Sequence, residues 1–472
     1  MIQKFEIGLG LGQWYFGVMA KRKTLDADGN WKPKKLKIVF TDEKLTAGAG
    51  LGPLIDAFVE SPQYPKLKTC VPSRHSNASY DSMQFVLPLM AGFWHGYDCL
   101  EDVEKFEGKP DISHRLEGIP KSRAFGDFLR DFESEHFEQM NQMLTKQGLA
   151  ARKQFAPDSP LILDMDSTSH IQSGKKIEGL AVNYKGEISL ESLDSFDELG
   201  FCYGFRLRDG ATFSSVGAEK EIDRIFSHLK HQDEKHFRAD SAYCNEDVIR
   251  ACLRNGAMFT ITAHGNTGWE SKVGSITNWK SWEYSEKELK WAEDRKVKLP
   301  EVEMGSMLYQ PSWSENLRFY IVVKRTRIEQ AGLFTQDGWK YYGVLTNRNL
   351  FTTSLQAVSE HHAKRGNSEN FLREQKIHLD LKHFPCLKIN ANFGYGLIAM
   401  VAYNFLRIIA RLDSPDKPHY AKKLREKYIH LPGKVVKHAR QIFLKIPIKF
   451  REEVQSMTTG WAGNLEAALA MS

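Results

Sequence analysis

Leu161-Ile162-Leu163-Asp164-Met165-Asp166-Ser167-Thr168 is the stretch on which the reading of this chain turns. Its short apolar run follows Ser159-Pro160 and has the length of a buried strand rather than of a helix. The run closes on two acids, so the strand delivers carboxylates to the end of whatever sheet it joins. Side chains two apart on a strand share a face, and Asp164 and Asp166 therefore compete for one position. Asp166 is preferred, because it stands at the end of the strand directly before Ser167-Thr168.

Downstream, β-like runs through Tyr184, Leu190 and Phe205 precede a helix with Ile222, Ile225, Phe226 and Leu229 on one face. A short strand over 236–239 then ends at Asp240. Asn245 caps the next helix, which buries Val248, Ile249, Cys252 and Leu253 and stops at Gly256. A further strand covers Met258–Thr262. The order β-β-β-α-β-α-β predicts an α/β core and resembles the sheet of a ribonuclease-H-like fold. Residues 265–340 break this rhythm and are read as a β-rich insertion. They hold six of the ten tryptophans: Trp269, Trp279, Trp282, Trp291, Trp313 and Trp339. A strand resumes over 341–346, then a helical region over 356–381 and an apolar helix over 397–411.

Upstream, residues 1–150 read as a β-like opening and a mainly helical domain, with basic clusters at Lys21-Arg22-Lys23 and over 32–37. These clusters suit either a solvated loop or a DNA-contacting arm. Ser122 is the expected cap of a helix carrying Phe125, Phe128, Leu129 and Phe132. With the helix-compatible stretch 100–106 it forms either a helical hairpin or a helix-turn-helix. After Ser414 the chain is strongly basic and is read as a helical C-terminal region, although Ile442, Leu444, Ile446 and Ile448 suggest that part of it packs. The expected layout is an N-terminal domain over 1–150 and a core over 151–264 and 341–412. The insertion fills 265–340, and 413–472 is the basic end.

Composition narrows the class. Hydrophobic residues make up 42% and aromatics 11%, enough for a full core, and the net charge of +6 suits a polyanionic partner. The six cysteines form no C-x2-C unit, which argues against a structural zinc and for reduced thiols in a cytosolic setting. No signal-peptide pattern opens the chain. The apolar stretches 85–94 and 397–409 fall short of the roughly 20 residues that span a bilayer.

Asp166, Asp240 and Glu369 form a strand-end, strand-end, helix series of acids suited to divalent metal. Around the third, His362-x2-Arg365-x3-Glu369-x6-Lys376 sets cations beside an acid. At about 100° per residue all four share one helix face, unless Gly366-Asn367 delays the helix to Ser368. This segment resembles the Y-x2-R-x3-E-x6-K signature of DDE transposases of the insertion-sequence-four superfamily, with His362 in the tyrosine's place. Asp166-Ser167-Thr168 resembles the segment around that family's first aspartate, and Arg238-Ala239-Asp240-Ser241-Ala242-Tyr243 resembles its second. Asn404 in Ala402-Tyr403-Asn404-Phe405 resembles its post-catalytic helix. The branch it resembles most is insertion sequence thirteen-eighty.

The resemblance implies a metal-dependent DNA transposase with catalytic, metal-holding Asp166, Asp240 and Glu369. His362, Arg365 and Lys376 would contact DNA phosphates. It implies two Mg2+ ions, replaceable by Mn2+, and double-stranded DNA partners in the form of terminal inverted repeats and target DNA. A homodimer in a synaptic complex and a cytoplasmic, nucleoid-associated location in a bacterium also follow from it. His362 leaves the hairpin step of the superfamily open here. Relatives place a stacking tryptophan in the insertion, and Trp339, after Gln336-Asp337-Gly338, is the candidate for base stacking. A nuclease of the same fold without strand transfer, and a domesticated DNA-binding derivative, are the alternatives.

Overall fold

The computed structural model describes residues 36–174, 176–328, 338–439 and 441–470. The chain divides into two units, Met1–Glu43 and Lys44–Ser472. The basic clusters at 21–23 and 32–35 lie outside the described residues, and 36–43 are exposed with no regular element.

The second unit opens with β1 (Leu45–Thr46) and a set of helices: α1 (Leu51–Val59), α2 (Met83–His95), α3 (Ser122–Arg130) and α4 (Ser134–Phe155). α2 is apolar on every side, and it is buried from Phe85 to Trp94, with Pro88 inside it. α3 is amphipathic, as its spacing requires, but Ser122 is its first helical residue rather than its cap. The Ser122 N–H donates to Glu104 Oε1 at 2.6 Å, so a neighbouring element satisfies the helix end. A helix over Pro110–Leu116 lies between the 100–106 stretch and α3. Those two elements are therefore not consecutive helices, and neither a simple hairpin nor a helix-turn-helix of the two forms.

The central sheet has ten strands. In chain order they are β2 (Leu161–Ile171), β3 (Ala181–Val182), β4 (Ile188–Asp197), β5 (Cys202–Asp209), β6 (Lys235–Ala239), β7 (Met258–Thr262), β8 (Lys280–Ser281), β9 (Val302–Tyr309), β10 (Phe319–Arg327) and β11 (Trp339–Thr346). Their order across the sheet is β3-β4-β2-β6-β7-β11-β10-β9-β8, with β5 on β4. β2, β6 and β7 run parallel and the remaining pairs antiparallel. β2 does not end at Asp166. It continues five residues further, because β4 pairs with it from Leu163 to Ile171. The polar run Ser167-Thr168-Ser169 hides that extension from any pattern based on hydrophobicity. The strands of the 265–340 insertion extend the central sheet beyond β11 instead of folding apart from it.

Further helices include α5 (Ala218–Phe226), α6 (Glu246–Arg254), α7 (Leu355–Ala363), α8 (Ser368–His378), α9 (Ile389–Asp413) and α10 (Ala462–Leu469). α6 has the expected cap, Asn245 Oδ1 accepting from Val248 N at 3.1 Å. α9 is long and apolar enough to cross a membrane, but it is the spine of the core and 94% of its most apolar window is buried. It lies against α2, α3, α4 and β5. Close approach at β5 requires glycine at 396, where a Cβ would come within 2.4 Å of the Phe205 ring. The C-terminal region is not simply helical. β12 (Gly433–His438) and β13 (Gln441–Lys445) form a hairpin that pairs with β1.

Candidate active site

The register of β2 and β6 decides which acids meet. Asp164 pairs with Arg238 in parallel alignment, so two residues on, Asp166 stands level with Asp240 at the point where β6 stops. Asp240 caps the turn that follows, its Oδ1 accepting from Ala242 N at 2.9 Å. Asp166 Oδ1 accepts from Ser167 N at 2.8 Å, and its Oδ2 accepts from Arg365 Nη1 at 3.3 Å. The other guanidinium nitrogen, Nη2, lies 4.0 Å from Glu369 Oε1. One arginine thus stands between the first and third acids. Glu369 points outward, with 70% of its side chain exposed.

Electrostatics describe the same cluster. Burial pushes the Asp166 carboxyl up to about 6, and the charges of Asp240 and Glu369 add to that rise while Arg365 opposes it. Three oxygen-donor acids with uncompensated mutual repulsion are a donor set that fits a hard divalent cation. The closest grouping of possible ligands among the described residues lies elsewhere, at Asp98, Cys99 and Asp102, whose ligand atoms lie within 4.8 Å of one another.

Asp164 has another task. It is 1% exposed, and both of its oxygens accept from Arg238, Nε and Nη2 each at 2.6 Å. Arg238 also donates to the His361 carbonyl at 2.8 Å, tying α7 to the sheet. This carboxylate is therefore buried and engaged on both oxygens by a guanidinium that is itself buried. Asp166 is the open member of the pair.

The motif around Glu369 does not lie on one continuous helix. A 3-10 turn over Lys364–Asn367 separates α7 from α8, so the single-face arrangement fails at Gly366-Asn367. His362 falls on the buried side, 2% exposed. Its Nδ1 donates to the Thr260 carbonyl at 3.2 Å, which leaves Nε2 as an acceptor 3.0 Å from both Thr262 Oγ1 and Tyr342 Oη. Burial holds its pKa down to about 4. The ring is thus neutral, buried and committed on both nitrogens in this arrangement. Arg365 does face the acids. Lys376 is half-buried near Asp194, Glu191 and Asp166, and burial lowers its pKa.

Trp339 begins β11 and is half-buried. Its ring packs against Arg325 at 4.4 Å and Arg327 at 5.1 Å, and Arg325 also lies 4.0 Å from the Trp279 ring. Val344 pairs with Thr262 at the end of β7, so Trp339 stands five residues beyond it, roughly 17 Å along the strand. That direction is the end of the sheet to which β6 delivers Asp240. Gln336 and Asp337 of the preceding turn lie outside the described residues. Among the other insertion tryptophans, Trp269 is buried, and Trp282 and Trp313 cover Lys324 and Arg250.

Sequence reasoning did not single out two tyrosines here, Tyr243 of the quoted Asp240 segment and Tyr342. Tyr243 is fully buried beneath Asp166 and Asp240, and burial with those charges raises its hydroxyl pKa well above the ordinary value. Its place three residues after Asp240 was a usable signal. Tyr342 is 42% exposed, with its hydroxyl on Thr262 and His362, and only the strand pairing reveals that it lies there.

The profile of one protein family, described as Transposase DDE domain, group 1, matches residues 30–457. No curated protein sequence matches the chain.

Proposed function

The chain belongs to the DDE transposase family, and from that premise we propose that it cuts DNA at the ends of an insertion sequence and joins them to a target. The observation that supports the reading is that Asp166 stands level with Asp240 across β2 and β6, while Arg365 contacts Asp166 and lies 4.0 Å from Glu369. Asp166, Asp240 and Glu369 would hold two Mg2+ ions, which would supply nucleophile activation and charge stabilisation for phosphodiester displacement. Asp166 presents its oxygens from within β2 and Asp240 from the end of β6, and Glu369 closes the set from the first turn of α8. Arg365 offers its remaining donors to a phosphate, a geometry suited to a planar guanidinium. Lys376 adds a second cation in the same carboxylate field.

The finer reading is a ribonuclease-H-like core within the insertion-sequence-four superfamily, in its thirteen-eighty branch. It is supported by the β2-β6-β7 parallel trio flanked by antiparallel β4 and β5, and by the Arg365, Glu369 and Lys376 spacing. It carries with it the four-part layout given above, double-stranded inverted repeats as substrate, a homodimer that synapses two ends, and a cytoplasmic, nucleoid-associated location. At the site of the superfamily tyrosine this chain has buried His362, with the exposed Tyr342 ring at hydrogen-bond distance.

The test uses purified protein with duplexes carrying the DNA that flanks its own coding sequence. Mg2+-dependent release of 3′-hydroxyl ends, followed by joining to a target plasmid, is expected. Cleavage that never leads to joining would favour a plain nuclease, and binding without cleavage would favour a domesticated derivative.

A further inference from the structure

A fourth acid lies inside the site without joining its open face. Asp194 on β4 is the register partner of Asp166 on β2, yet it is fully buried. Its Oδ1 accepts from Gln375 Nε2 at 2.9 Å, and its Oδ2 lies 2.5 Å from Ser192 Oγ. Ser192 Oγ is in turn 2.8 Å from His170 Nε2, and His170 Nδ1 is 2.6 Å from the Leu381 carbonyl. The chain of contacts thus runs from the segment after α8, through β2 and β4, and back to α8 at Gln375.

Counting protons along this chain is informative. Its three gaps, from Leu381 O to His170, from His170 to Ser192 and from Ser192 to Asp194, each need one proton. A neutral histidine and a serine supply two. The third belongs to Asp194 or to a doubly protonated His170. Burial holds His170 down to about 3 and pushes Asp194 up to about 7, so the carboxyl is the holder. The cations that face Asp194, Lys376 and Arg208, contribute charge only, since its hydrogen bonds go to Ser192 and Gln375.

We propose that Asp194 is a positioning residue, a neutral carboxyl that pins α8 to the sheet through Gln375 and so sets where Glu369 stands relative to Asp166. The ring contact of Phe371 with Phe196, 5.8 Å between centroids, holds α8 on the same face of β4. Bonds from Ala421 to Glu374 and from Arg425 to the His378 carbonyl tie α8 to the C-terminal region, whereas the bond to Gln375 is the directional one to β4, the strand paired with Asp166. The inference rests on Glu369 being the third acid.

Four variants of the full chain test it: Asp194→Asn, Asp194→Ala, Gln375→Met and Glu369→Gln. Melting temperature, the Mg2+ concentration for half-maximal DNA cleavage, and Mn2+ binding without DNA are measured on each. Asparagine reproduces the donor and acceptor pattern of a protonated carboxyl, so Asp194→Asn should match wild type in all three. Asp194→Ala should need about 10-fold more Mg2+, the scale expected when a group that orients a ligand is lost, and should bind Mn2+ correspondingly weakly. Gln375→Met keeps the volume and should give the same metal shift even where Asp194→Ala fails to fold. Loss of cleavage in Asp194→Asn, or unchanged metal dependence in Gln375→Met, would overturn the proposal. Full cleavage by Glu369→Gln would instead remove the reading of the third acid, and the inference with it.

Discussion

Arg365 and Asp166, 199 residues apart in the chain, meet at 3.3 Å across the gap between α7 and β2. The guanidinium occupies the place where a cation is wanted, and it only partly offsets the burial of Asp166. The carboxyl consequently stays above the ordinary carboxylate range, at about 6.

Replacing Asp166 or Asp240 by Asn, or Glu369 by Gln, should lower cleavage by roughly a hundredfold or more, the scale of losing one electrostatic group from a site. Gel shifts on end DNA should stay near wild type, because the acids hold metal rather than phosphate. Joint loss of end binding in all three variants would assign them structural roles.

The raised Asp166 carboxyl has a pH signature. Its folded pKa of about 6 exceeds the ordinary carboxylate value, so the metal-free fold keeps a proton that the unfolded chain gives up. The associated stability is complete below about pH 4 and is lost as pH rises through about 6. Metal binding runs the other way, since the cation must displace that proton, and the Mg2+ requirement should rise as pH falls below about 6. Melting curves with and without Mg2+ at pH 5 and pH 7.5 check both slopes. A metal requirement indifferent to pH would remove Asp166 from the ligand set.

Asp164→Ala should cost about 3–5 kcal/mol, because it leaves Arg238 charged and unpaired in the core. Denaturant unfolding would measure this. An Asp164→Ala protein of normal stability that no longer binds metal would reverse the assignment of Asp164 and Asp166.

Trp339→Ala should slow second-strand processing while sparing the first nick, and should cost only about 0.5–1 kcal/mol, since Arg325 keeps its contact with Trp279. Equal loss of both cleavage steps with a sharply lower melting temperature would make Trp339 a core residue.

The basic tail requires a finer cut than truncation after Ser414. Arg425 is buried and donates to the carbonyls of Phe93, Trp94 and His378, and Leu469 is fully buried, so truncation should unfold the protein. Single substitutions at exposed Lys437, Lys445 or Lys449 are the informative ones. Each lysine that contacts phosphate should lower the slope of log K against log salt by about 0.9. An unchanged slope in all three would take this face out of the DNA interface.

Much of the architecture followed from the chain alone. Period-two and period-3.6 patterns placed β6, β7 and α6 almost to the residue, because burial on one face imprints itself directly on neighbouring positions, whereas α9, read over 397–411, begins at Ile389. The spacing of Arg365, Glu369 and Lys376 named a cluster of acid and cation before any contact was known. What the tertiary structure alone decided is which side chains face one another. Asp164 and Asp166 are indistinguishable by periodicity, and only the arrival of Arg238 in register with Asp164 buries that acid in an ion pair and leaves Asp166 the more open of the two. His362 lay on the motif's face by angle, but the turn at Gly366-Asn367 rotated it into β7. Asp194 drew no attention within a polar strand, because its meaning depends on Gln375, 181 residues away. Local pattern records burial, whereas hydrogen-bond partnership between distant strands and helices exists only once the sheet has paired.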